Sequence, residues 1–198
     1  MILLAAVIVG LIAGLTRAWI GKRNYRTPTL KWIGLVFVAF LPQFLAFIFH
    51  PTREIIPDGW IPYILISSLI LMLVFALANI CKPGFYALTL GLACNFLVIA
   101  LNGGMMPISP KTVLRNIPNP DPGMVELGTR LGTGKDVILA EADTKLWFLS
   151  DHLTSPAWLN YPVAFSVGDV IISIGAIWLL WSLGGPVNQR EEKSHERI

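Results

Sequence analysis

The amino-acid sequence predicts an all-α membrane protein with five transmembrane helices and an extracytoplasmic insert between helices four and five. Three observations predict it. Of 198 residues, 55% are hydrophobic and only 14% charged, with mean hydropathy +0.66; soluble domains carry about a quarter charged residues. Apolar runs recur near 2–20, 30–49, 61–80, 85–101 and 165–183. The stretch between the last two, 108–161, is polar and at first proline-rich (Pro107, Pro110, Pro118, Pro120, Pro122). At this length the expectation is one transmembrane domain, 1–183, followed by a charged tail, 184–198.

The first run begins without a basic region and has no small-residue cleavage site before Arg17, so a spanning helix is expected rather than a cleaved signal peptide. Ala6, Gly10 and Gly14 repeat every four residues, a stripe that lets a second helix approach closely. The second run carries Pro42 and Gln43, which predict a kink, and ends at His50-Pro51. His50 reads as an interface residue, since no second His or Cys accompanies it. Trp60 and Tyr63 read as interfacial anchors of the third run. Lys82-Pro83-Gly84 is a tight turn, which makes runs three and four an antiparallel hairpin. On the fourth run Gly91, Asn95 and Asn102 share one helical stripe. Buried Asn needs hydrogen-bond partners, so that stripe should face the bundle interior. Asn102-Gly103-Gly104-Met105-Met106-Pro107 ends the helix. Val137–Ala142 is a short apolar run whose pattern does not choose between strand and helix. On the fifth run Ser166, Asp169, Ser173 and Ala176 form one polar face, opposite Ile171, Ile174 and Trp178.

Basic residues set the orientation. Arg17, Lys22, Arg23, Arg26, Lys31, Lys82, Arg190, Lys193 and Arg197 fall on one side; Arg53, Lys111, Arg115, Arg130, Lys135 and Lys145 fall on the other, mostly far from membrane ends. The first side is expected to be cytoplasmic in a plasma-membrane protein, with the N-terminus outside and the C-terminus inside. The net charge of +3 follows this topology and carries no sign of nucleic-acid binding.

The chemistry-bearing residues gather at the outer end. Asp151 sits in an amphipathic run, and Asp169 lies one turn inside the last apolar run. An ionisable residue within a membrane segment is a functional candidate, and two carboxylates at one membrane face are able to share a proton and act as acid and base. Asn102, Asn95 and Ser166 are the candidates for orienting such a pair or binding its substrate. Gly-Thr-Gly-Lys at 132–135 is not a phosphate loop, because Asp136 follows the lysine and Thr129 stands where the first glycine belongs; it reads as a surface turn. Cys81 and Cys94 have no ligand-type spacing and do not read as a disulfide. No metal site and no organic cofactor are expected.

Two resemblances add to this. Asn102-Gly103-Gly104-Met105-Met106-Pro107, the Lys145–Asp151 run and Phe165-Ser166-Val167-Gly168-Asp169 resemble a bacterial multi-pass membrane protein family of unknown function. The stretch from Phe148 to Leu180 also resembles the C-terminal part of lipoprotein signal peptidase (signal peptidase II). That family has a Val-x-Asp-Phe-like motif, then Phe-Asn-x-Ala-Asp opening its last transmembrane helix. The resemblance implies that Asp151 and Asp169 are its catalytic dyad. Ser166 and Gly168 stand where that family has Asn and Ala, its Gly-Asn-x-x-Asp-Arg and Asp-Gln-x-x-Lys motifs are missing, and five segments replace four.

Two functions follow. One is a non-catalytic accessory or binding component, in which Asp169 caps the last helix and Asp151 is a loop acid. The other is an intramembrane aspartyl peptidase using Asp151 and Asp169 to activate water at the outer face. The partners implied are membrane lipids and either a membrane protein or a lipoprotein-like substrate, not nucleic acid.

Overall fold

The structure is a computed structural model describing residues 2–186 except 54, 118, 122 and 156–161. Helices dominate: α1 (Ile2–Ile20), α2 (Gly34–Gln43), the single turn α3 (His50–Arg53), α4 (Ile61–Ala78), α5 (Phe85–Leu101), the short α6 (Pro110–Asn116) and α7 (Val167–Leu183). Four short strands, β1 (Met106–Ile108), β2 (Asp136–Ile138), β3 (Leu153–Thr154) and β4 (Ala164–Phe165), all lie between α5 and α7 or at their edges. The five apolar runs are thus five helical segments. Two of these, Ile2–Ile20 and Asp58–Ala78, are long and apolar enough to cross a membrane; Gly34–Ile48, Phe85–Leu101 and Val167–Leu183 are shorter apolar helices.

The long helices pack in the order α1, α7, α5, α4, α2. The small residues of α1 explain its place. Ala6, Gly10, Gly14 and Ala18 are its buried residues, and a Cβ built on Gly10 would lie 2.9 Å from the Ile177 Cα of α7. The expected stripe therefore serves packing within the chain. On the other side of α7, Gly91 and Gly168 meet, with the Ile172 backbone nitrogen 2.8 Å from a Cβ built on Gly91. Gly84 closes the turn before α5 at φ +82, a conformation most side chains avoid.

The second run differs from a plain helix. Pro42 ends regular α-helix within α2, and Phe44–Ile48 continues as π-helix with Phe49 N donating to Phe44 O at 2.9 Å. Proline and a π turn are known causes of a bend. The Ser68 hydroxyl of α4 donates to Ala39 O at 2.6 Å, so a carbonyl in the turn before Pro42 has a partner on the neighbouring helix. The last helix starts two residues later than the apolar run, because Ser166 is its cap.

Candidate functional site

The site is assembled where α5 ends and α7 begins. The end of α5 is built by Asn102 and two glycines. Gly104 N donates to Ile99 O at 2.8 Å across Gly103, whose φ is +78. This is the Schellman arrangement, in which a glycine takes the left-handed position. It turns the chain sharply into β1.

Strand β1 then brings distant residues together. It pairs in parallel with β2, Pro107 opposite Val137, and Met106 N donates to Lys135 O at 3.0 Å. Pro107 O in turn accepts from Asp151 N at 3.1 Å. Lys135 and Asp151 therefore share β1 as a template. Strands β3 and β4 pair antiparallel, Leu153 opposite Phe165, which carries the chain after Asp151 to the start of α7.

Two polar networks result. In the first, the Lys135 ammonium lies 2.7 Å from Asp151 Oδ2 and 3.3 Å from Asp136 Oδ1. Asp151 is only 2% exposed, whereas the Lys135 side chain keeps 39% of its surface in solvent. The other Asp151 oxygen, Oδ1, is buried with no hydrogen-bond partner among the described residues. Burial raises the Asp151 pKa; the Lys135 charge pulls it down, Asp136 and Asp169 push it up again, and the balance is about 6. For Lys135, burial works against the charged form, but the carboxylates of Asp136, Asp151 and Asp169 outweigh it and hold the lysine above its ordinary range.

In the second network, Asp169 and Ser166 form a capping box at the start of α7: Asp169 N donates to Ser166 Oγ at 3.0 Å and Ser166 N to Asp169 Oδ2 at 3.3 Å. Asn95 joins it from α5. Its amide nitrogen donates to Asp169 Oδ1 at 2.9 Å, and its amide oxygen accepts from Ser166 Oγ at 2.9 Å. Gly168 makes this possible, since a Cβ there would run into the Asn95 amide and lie 2.9 Å from Gly91 O. The two networks adjoin, because Asp169 acts electrostatically on both Lys135 and Asp151.

The predicted site residues thus divide. Asp151, Asp169, Asn95 and Ser166 come to one junction. Asn102 does not join them: its amide accepts from Lys145 N at 2.9 Å and donates to Lys145 O at 2.8 Å, tying the insert to the end of α5. The Asn stripe faces α7 at Gly91 and Asn95 and the insert at Asn102. Lys135 is the participant that sequence reasoning passed over as part of a surface turn. The signal available was the alternation of Lys135 and Asp136 just before the apolar run that becomes β2. Trp147 and Phe148 are exposed; the sequence suggests all of Trp147, Phe148, Trp158 and Tyr161 as interfacial anchors of the loop between the two acids, and Trp158 and Tyr161 lie outside the described residues, as do the charged residues of the tail. Among the described residues no group of three or more His, Cys, Asp or Glu is arranged to hold a metal.

Residues 27–181 match the model of a family of unknown function, DUF5317. The chain belongs to this family. No curated protein and no solved structure matches it. The DUF5317 match contains every residue of both networks but begins after α1, although α1 packs against α7. The family's shared part therefore includes the α5–α7 junction and the insert docked on it.

Proposed function

We propose that this DUF5317 protein is a multi-pass integral membrane protein that acts as a non-catalytic accessory or binding component, with a locked extracytoplasmic insert as its working surface. It crosses the membrane five times as one domain, N-terminus outside and tail inside. The apolar exterior supports the membrane reading: Leu4, Ile12, Phe37, Val38, Leu90 and Ile174 are all exposed, and apolar faces of this extent are unfavourable in water.

The observation that carries the functional reading is the separate engagement of the two acids. Asp169 is occupied by Asn95 and the cap of α7, and Asp151 is occupied by Lys135. The Asp169 contacts hold α5 to α7, and the Asp151 contact holds segments of the insert to one another. Gly168 supports the same reading. The signal peptidase resemblance implies alanine there, and this junction has no room for its Cβ.

One observation favours the aspartyl peptidase reading instead. Asp151 is raised to about pKa 6, by burial first and by Asp169 in smaller part, and keeps a buried oxygen without a partner among the described residues. A carboxyl tuned toward neutrality beside a second one suits acid–base work. Lipoprotein processing in a bacterial host lacking signal peptidase II separates the two. The accessory reading predicts no processing by the natural chain. Processing that is lost in Asp169→Asn and Asp151→Asn would overturn it in favour of the peptidase.

A further inference from the structure

At the opposite end of α1 from this junction the chain forms an open groove of about 510 Å³ lined by Ala18, Trp19, Ile20, Lys22, Arg23 and Asn24. Its geometry starts at the helix end. Arg23 N donates to Ala18 O at 2.9 Å across Lys22, which takes the left-handed position at φ 49. Glycine is the usual residue there. A lysine in its place sets two adjacent cations, Lys22 and Arg23, at the mouth of the groove. Three carbonyls of this helix end already accept backbone hydrogen bonds, Arg17 O from Gly21 N, Ala18 O from Arg23 N and Trp19 O from Lys22 N, so the two cations have only the remainder of its partial negative charge to outweigh.

The neighbouring cations have other roles. Arg17 donates to Trp181 O at 3.3 Å and stacks over the Trp181 ring, and Arg26 donates to Ser182 O at 3.0 Å. Both satisfy the carbonyl end of α7. The side chains of Lys22 and Arg23, by contrast, are exposed and make no hydrogen bond or ion pair among the described residues. Trp19 beside them is 81% exposed, and an exposed Trp next to a basic pair is the pattern of a headgroup-level anchor. The chain's own tail is a poor alternative occupant, since its Glu191, Glu192 and Glu196 are balanced by Arg190, Lys193 and Arg197.

We propose that this groove binds a phosphate group, that of an anionic phospholipid in the leaflet at the C-terminal end of α1, with Arg23 and Lys22 on the phosphate and Trp19 along the glycerol and upper acyl region. A guanidinium gives paired hydrogen bonds to phosphate oxygens and the lysine adds a point charge. The inference rests on the membrane reading above. Each basic residue near an anionic surface favours binding by about 1 kcal/mol, so two together give a preference of roughly thirtyfold over a zwitterionic lipid.

The test uses the full chain in nanodiscs of phosphatidylcholine with graded phosphatidylglycerol, and native mass spectrometry of the lipids retained on release. The expected result is preferential retention of phosphatidylglycerol by the natural chain. Lys22→Gln/Arg23→Gln should reduce it about tenfold or more, while Lys111→Gln/Arg115→Gln, two exposed cations of the insert, should leave it unchanged. Equal retention by the natural chain and Lys22→Gln/Arg23→Gln would overturn the proposal. So would millimolar inorganic phosphate displacing the lipid, which would mark a free-phosphate site. Failure of the chain to enter phosphatidylcholine nanodiscs would overturn the membrane reading and this proposal together, whereas entry without a phosphatidylglycerol preference would overturn this proposal alone.

Discussion

Lys135 holds its ammonium 2.7 Å from the buried carboxylate of Asp151, sixteen residues further along the chain, while both residues hydrogen-bond the backbone of β1. This pair ties two segments of the insert together beside β1, whose Pro107 O also accepts from Asp151 N. Burial, only partly offset by the lysine, raises the Asp151 pKa above that of the unfolded chain.

Stability should therefore depend on pH in a window set by Asp151. Its folded pKa is about 6 against 3.8 for the free side chain, so the folded state holds the proton more tightly. The stabilisation is complete below pH 4 and is lost as pH rises through 6. Over that range the natural chain should lose about 3 kcal/mol relative to Asp151→Asn. Lys135, raised above its ordinary value, contributes stability that disappears only in strong base and leaves this window flat. Denaturant unfolding of both proteins in detergent from pH 4 to 7 measures it; parallel curves would remove Asp151 as the source.

The Asn95 network should be as important to α5–α7 packing as its buried contacts imply. Asn95→Ala removes a donor from Asp169 and an acceptor from Ser166, which should cost about 1–3 kcal/mol. Gly168→Ala should cost a similar amount, about 1–3 kcal/mol, by forcing α5 and α7 apart. Thermal unfolding of each variant checks both; an unchanged midpoint for Gly168→Ala would mean the helices have slack at this crossing.

Topology is open to a direct assay. In a chain without Cys81 and Cys94, Asp143→Cys should react with a membrane-impermeant maleimide in whole cells. Asn24→Cys should react only after lysis. The reverse pattern would invert the orientation.

The helices were legible because they depend on local composition. The runs near 2–20 and 85–101 coincide with α1 and α5, and Ser166 with Asp169 carries the local signature of a capped helix start. The small-residue stripe of α1 was legible for the same reason, since periodicity is local information. Pro42 was legible as an interruption of the second run, but the π-helix that follows it was not, because a change of hydrogen-bond spacing leaves no periodic signal in five residues. Lys135 was not legible as the partner of Asp151. Their meeting depends on parallel pairing of β1 with β2, which are three residues each and separated by the whole first half of the insert. Three-residue strands leave no periodic trace, and a lysine beside two glycines looks like any solvated turn. Asn102 was legible as a buried-type polar residue at the end of α5, but its partner, the Lys145 backbone, was not, because a backbone group carries no sequence signal.

A double-mutant cycle on Lys135 and Asp151 tests the central claim, that the acids lock the insert through separate partners. At pH 7.5, Lys135→Met alone should destabilise the chain by about 2 kcal/mol, less than the ~3–5 kcal/mol expected of a fully buried pair because Lys135 is partly solvated. Asp151→Asn alone should stabilise the chain by up to about 3 kcal/mol, because it removes the cost of ionising a buried carboxyl at this pH, and the double variant should match Asp151→Asn, giving a coupling of about 1–3 kcal/mol. Strictly additive single effects, with coupling near zero, would show that the pair does not hold the insert and would contradict the account.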